Sequence, residues 1–269
     1  MEVHHVCSLG TLCHTAEILK RNKIKQCSYP FDWIFSNHVT IAHCLEDNFN
    51  IFLDKSYYMD ISPHKCGHYY YNHCMFNHHN PLYNKHHYNY FVRCVNRFKE
   101  LLYFKGHKLF IMSFPNIDNF QPNLINEIIH FNIILSKYTE NYTLLVILHF
   151  PNNANNYVFK NYNNIHFLYL YTLSHSNGIE FINKEDNDYL DNIINTTYCF
   201  VIENKDDNQS VVSFQLYDEN ENNKRRRYRK KKYNKKSTDI YMAKAEYASN
   251  KKTPSFFIQF FRYFTQCIS

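Results

Sequence analysis

The sequence predicts an α/β domain: a mostly parallel sheet with helices on both faces, in three layers. Three observations carry this expectation. The segments KLFIMSF at 108–114, YTLLVILHF at 142–150 and IHFLYLYT at 165–172 are continuous apolar runs of strand length. Such runs belong to strands buried on both faces, as in parallel sheets. Segments of helical period lie between the first two runs and after the third, which is the α/β rhythm.

The elements follow in order. Residues 3–7 form a short β-like run that ends in Ser-Leu-Gly. Gly10 or Thr11 then caps a helix reaching about Asn22, with Leu12, Ala16, Ile18 and Leu19 as its apolar face. Pro30 breaks the chain before Phe31-Asp32-Trp33-Ile34, and Asn37 precedes a helix near 38–46. Phe49, Phe52 and Leu53 anchor to the core. Residues 56–87, rich in Tyr and His, predict a short hairpin and a long loop. A helix over 86–104 places Phe91, Val95, Phe98 and Leu102 on one face, and Arg93, Arg97 and Glu100 on another. After the strand at 108–114, residues 122–138 form a helix with Pro122 near its first position. A helix at 186–196 and a run at 198–203 follow the strand at 165–172.

Composition bounds the remainder. The 269 residues are 45% hydrophobic and 18% aromatic, enough for one large core, with Tyr and Phe supplying much of the bulk. Only four glycines occur, so Asn is expected at backbone positions of positive φ. The net charge of +6 is local. Residues 224–236 (KRRRYRKKKYNKK) hold ten basic residues; without them 20 basic face 24 acidic residues, a net of −4. Three parts are expected: an α/β domain over 1–203, a polar basic linker over 204–238, and a tail over 239–269 with an aromatic helix (SFFIQFFRYF). No apolar run approaches membrane-helix length, and the opening residues lack the apolar core of a signal peptide. Nine cysteines with irregular spacing and no CxxC predict reduced thiols in a cytoplasmic setting.

The chemistry concentrates in residues 8–36. Cys13 stands where a strand gives way to a helix, so unpaired backbone N–H groups surround it. These lower a thiol's pKa and can hold an oxyanion. The bland alternative is a buried cysteine with Asp32 capping a turn.

Ser8-Leu9-Gly10-x-x-Cys13-x-x-Ala16-x-x-Leu19-Lys20, followed by Tyr29-Pro30-Phe31-Asp32-Trp33, resembles the opening of the DUF1796 family. That family is described as papain-like cysteine peptidases and occurs in bacteria and large DNA viruses. Phe76-Asn77-His78-His79-Asn80-Pro81 resembles its aromatic–histidine motif, and Tyr90-Phe91-x-Arg93-x-x-x-Arg97-Phe98 its Arg-bearing helix. The resemblance implies a thiol-dependent hydrolase or acyltransferase acting on a peptide or acyl substrate. Cys13 is then the nucleophile, His78 or His79 the base, and Asp32 the orienting group or a substrate contact. Ser8, Gly10, Trp33, Arg93 and Arg97 would position substrate. His149, at a strand end, competes for the role of base on geometric grounds. A papain-like α+β arrangement is the alternative fold, and an infected host cell an alternative setting.

Other readings stand beside this one. Ser8 sits loosely where an SGNH-type esterase carries its serine, without that family's Gly-Asp-Ser or late Asp-x-x-His. The cluster His64, Cys66, His68, His73, Cys74, His78, His79, His86 and His87 has zinc-binding residue types, but Cys66 and Cys74 lack the paired short spacing of a zinc site. A surface loop is the favoured reading, and no cofactor or metal is expected. Arg225, Arg226, Arg227, Arg229, Lys230, Lys231 and Lys232 would bind polyanions non-specifically and resemble a nuclear localisation signal. Through them the chain could instead be a non-enzymatic module that binds nucleic acid or a protein partner.

Overall fold

The structure is a computed structural model and describes residues 1–62 and 65–201. The chain opens with β1 (Glu2–Val3), β2 (His5–Ser8) and α1 (Cys13–Arg21). Helices α2 (His38–Glu46) and α3 (Asn50–Leu53) follow, then the hairpin β3 (Tyr58–Ser62) and β4 (Lys65–His68). After the long α4 (Lys85–Tyr103) come β5 (Lys108–Phe114), α5 (Asn123–Leu135), β6 (Tyr142–Phe150), β7 (Asn156–Tyr162) and β8 (Ile165–Tyr171). The last elements are α6 (Lys184–Thr197) and β9 (Cys199–Phe200).

The central sheet has five strands in the order β2-β5-β6-β8-β7. Its first four are parallel, and β7 runs antiparallel to β8 at the edge. Successive residues of a strand face opposite sides of a sheet, and here both sides are apolar. Phe110, Met112, Leu144, Val146 and Leu148 enter one core with aromatic residues from α3 and α4, among them Phe52, Phe91 and Phe98. Leu109, Ile111, Leu145 and Ile147 enter a second core with Ile18 and Leu19 of α1 and Leu190, Ile193 and Ile194 of α6. The result is the three-layer, mostly parallel α/β arrangement; of the two arrangements expected, this one is observed.

The helix starts follow ordinary capping chemistry. The Asn37 side chain accepts from Thr40 N at 2.8 Å, and Asn84 accepts from His86 N at 2.8 Å. Asn48, Asn116, Asn141, Asn152 and Asn163 take positive φ, as the shortage of glycine requires.

Two differences from the sequence reading have physical causes. Strand β7 (NYVFKNY) was not expected. It is an edge strand exposed along nearly its whole length, so it carries no hydrophobic alternation to read. Of the run at 198–203, the described residues 198–201 contribute a two-residue strand, β9, which pairs with β1 apart from the main sheet. Among the described residues, no helix is long and apolar enough to cross a membrane. The linker, the basic segment with Arg225–Lys232 and the aromatic tail lie outside the described residues, as does His64.

Candidate active site

Cys13 is the first residue of α1, reached through a tight turn off β2. Gly10 takes φ +81, and a Cβ there would lie 2.3 Å from Ser36 Oγ, so the turn admits only glycine without strain. The turn is tied to the neighbouring strand. Leu9 N donates to Ile111 O (2.8 Å), Ser113 N to Gly10 O (3.2 Å) and Thr11 Oγ1 to Ser113 O (2.7 Å). Thr15 Oγ1 reaches back to Gly10 O at 2.5 Å, and Ser36 N donates to Thr11 O at 3.1 Å. At its other end, α1 is locked to α6 by the fork of Arg21 on Asp191 (2.5 and 2.7 Å). Among the described residues, no side chain caps the start of α1, and uncapped first-turn N–H groups can receive an oxyanion.

The thiol is 5% exposed. Burial pushes it up to about 11; its own backbone N–H pulls down, while Asp32 and Glu17 push further up. A thiol shifted in this way needs a base to act as a nucleophile. A histidine is within reach: Cys13 Sγ lies 3.3 Å from His78 Nε2.

His78 is held there by its neighbours in Phe76-Asn77-His78-His79-Asn80-Pro81. Phe76 is fully buried among Phe52, Tyr58 and Phe91, and its backbone bonds Cys66 in both directions (2.9 and 3.1 Å). Buried Asn80 donates to Ser62 O at 3.1 Å and receives Tyr83 N at 3.2 Å. Phe35 N donates to Met75 O at 3.0 Å, which ties the segment after the nucleophile to the loop of the base. His79 turns aside and stacks on Tyr90 at 4.8 Å; burial pulls it down to about 4.

Other expected residues sit elsewhere. Asp32 does not touch His78. Its Oδ2 is bonded to Lys25 Nζ and to Tyr29 N (3.0 Å), and its buried Oδ1 has no hydrogen-bond partner. It braces the 25–32 turn, and the orienting role is corrected to that. Among the described residues, no side chain bonds the second ring nitrogen of His78, so the geometry offers a Cys13–His78 pair without a third member. His149 is also corrected. Its Nδ1 accepts from Asn116 N (3.0 Å) and its Nε2 meets Thr172 Oγ1 (2.8 Å), so both nitrogens are committed away from Cys13. Ser8 is fully buried and its Oγ accepts from Gly10 N at 3.2 Å. It can neither touch a substrate nor act as an esterase nucleophile, and it shapes the turn instead. Gly10 likewise acts through the turn.

Trp33 lines the cleft beside Cys13, with Lys25 Nζ 6.0 Å from its ring. Arg93 and Arg97 do not line it. Arg97 donates to Arg93 O (3.3 Å) and to Cys94 Sγ (3.7 Å), and its charge pulls the Asp32 pKa down against the larger upward push of burial. In the His/Cys-rich loop, Cys66 bonds Gly67 O and His68 bonds Ile51 O. Among the described residues, no group of three or more His, Cys, Asp or Glu is placed to hold a metal ion.

The cleft has a volume of about 470 Å³ and is lined by Cys13, Glu17, Lys20, Ser28, Trp33, His78, His79, Tyr90 and Ile179. Sequence reading missed Glu17, Lys20, Ser28, Tyr90 and Ile179 as lining residues. Glu17 was findable, one helical turn beyond Cys13 on the same face. Ile179 carried no signal, because it arrives from 166 positions away on an irregular loop.

A family model described as "Putative papain-like cysteine peptidase (DUF1796)" matches residues 4–152. That span contains Cys13, His78 and every lining residue except Ile179. No curated protein and no solved structure matches the chain.

Proposed function

The chain belongs to the DUF1796 family, and from that premise we propose a thiol-dependent hydrolase or acyltransferase in which Cys13 and His78 form the reacting pair. The single observation that supports it most is the 3.3 Å approach of Cys13 Sγ to His78 Nε2 at the floor of a cleft.

The proposed steps are these. With His78 protonated on Nδ1, the thiol donates to Nε2, and the proton passes to His78 as sulfur attacks the substrate carbonyl. An S–C bond forms, and the carbonyl π electrons move to oxygen, which the first-turn N–H groups of α1 receive. The intermediate collapses, the C–N or C–O bond breaks, and His78 returns its proton to the leaving group. The thioester is then cleaved by water, giving hydrolysis, or by another nucleophile, giving acyl transfer.

The test is iodoacetamide alkylation of the full chain, with each of the nine cysteines followed separately by mass spectrometry. A thiol of pKa about 11 acting alone is ionised only to about one part in ten thousand at pH 7. Its alkylation would climb about tenfold per pH unit up to that value. With His78 as base, the wild type reacts much faster below pH 9 and shows a flatter profile, and His78→Ala restores the steep one. Identical profiles for wild type and His78→Ala would refute the dyad.

A further inference from the structure

The charged groups at the cleft are already matched. Lys20 Nζ lies 3.5 Å from Glu17 Oε1, and the deeper Asp32 is bonded to Lys25. What remains to contact a ligand beside Cys13 is largely apolar: the Trp33 ring, the Tyr90 ring with His79 stacked on it, and Ile179. Ile179 is 45% exposed although it borders a cleft, so an apolar ligand group would bury surface that the protein leaves wet.

The loop that carries Ile179 is anchored on both sides of it. The loop between β8 and α6 is pinned to the sheet end and to α1 at several points. Ser176 Oγ is hydrogen-bonded to Nδ1 of buried His14 (2.9 Å), the residue next to Cys13. Ser176 N and O both bond the Asn116 side chain at 2.7 Å. Ser174 N and Oγ bond buried Asp186 (2.8 and 2.6 Å), and Asn187 bonds Phe181 N and O (3.0 and 2.8 Å). A wall fixed this way presents one shape to a ligand and discriminates by it.

We infer that Ile179, with Trp33 and Tyr90, forms an apolar subsite, and that the substrate carries a bulky apolar side chain, aromatic or branched aliphatic, beside the carbonyl that Cys13 attacks. The inference rests on the thiol-enzyme reading for its chemistry but not for its binding. The volume, about 470 Å³, lies toward the small end of the ~300–1,000 Å³ typical of ligand clefts, so the site engages a short segment.

Trp33 is the chain's one tryptophan, and its fluorescence therefore reports this cleft alone. Full-length Cys13→Ala protein, which cannot react, is titrated with N-acetyl-phenylalaninamide, N-acetyl-leucinamide and N-acetyl-aspartic acid amide. The apolar probes are expected to bind at least tenfold more tightly than the aspartyl probe. Adding Ile179→Asp should erase that preference, and Ile179→Leu should keep it. Equal affinities, an aspartyl preference, or an apolar preference unchanged by Ile179→Asp would overturn the subsite. An intact apolar preference in the Cys13→Ala protein, together with wild-type Cys13 that resists alkylation, would support the subsite and overturn the enzymatic reading alone.

Discussion

Replacing Gly10 by alanine strains the turn that sets Cys13. Two effects add. A residue with a Cβ at φ +81 costs about 1–2 kcal/mol relative to glycine. The new Cβ would also stand 2.3 Å from Ser36 Oγ and 3.4 Å from Phe31 O. The second contact is tolerable; the first forces Ser36, itself 5% exposed, out of place. Overpacking of that kind costs about 1–3 kcal/mol. Gly10→Ala should therefore lower the unfolding free energy by about 2–5 kcal/mol, a large share of the ~5–15 kcal/mol of an ordinary domain. The assay is urea unfolding of wild type, Gly10→Ala, Ser36→Ala and the double variant. Ser36→Ala removes the oxygen that the new Cβ meets, and in the wild type that buried oxygen has no hydrogen-bond partner among the described residues. The double variant should thus recover the overpacking share and retain the backbone share, giving a favourable coupling of about 1 kcal/mol or more. A Gly10→Ala protein within about 0.5 kcal/mol of wild type, or strictly additive variants, would refute this reasoning.

Two further outcomes follow. Burial holds His14 down to about 3 and His149 down to about 4, so the unfolded chain takes up protons first as pH falls below 6.5, and stability is lost from there downward. At pH 5.5 each should cost about 1.4 kcal/mol relative to pH 7.5, read as a lower urea midpoint; His38, which burial pulls down to about 4, acts in the same direction, and a flat profile would contradict the burial of these rings. Lys25→Met strands the Asp32 carboxylate, whose pKa burial already raises; a raised carboxyl is tolerated when protonated and destabilises once pH rises through its folded value, so the deficit against wild type should reach about 3–5 kcal/mol at pH 8 and shrink at pH 5, and an equal deficit at both would be evidence against the pair.

What could be read from the sequence depended on how each element is stabilised. Strands β5 and β6 were legible to the residue, because burial on both faces leaves an uninterrupted apolar run. Helix α4 was legible through Phe91, Val95 and Phe98, which recur at helical spacing. Strand β7 was not, because an exposed edge strand owes its existence to hydrogen bonds with β8 and not to its side chains. The site divided in the same way. Cys13 was visible as a strand-to-helix junction. His78 was visible only through its motif, since a loop held by Phe76 and Asn80 has no period. The Lys25–Asp32 bond joins two irregular segments, and nothing in their spacing announced it. His149 misled because a strand end beside a loop usually is open; here Thr172 and the Ser174–Asn187 network close it.

The two halves of the dyad come from opposite layers. Cys13 belongs to α1, which packs in the core shared with α6, while the His78 loop hangs from Phe76 in the aromatic core across the sheet. On the proposed function, neither layer holds the reacting pair by itself: a nascent or partly unfolded chain carries an ordinary thiol, and sulfur meets imidazole only when both layers have closed on the sheet. Assembly would then be the molecule's own safety catch.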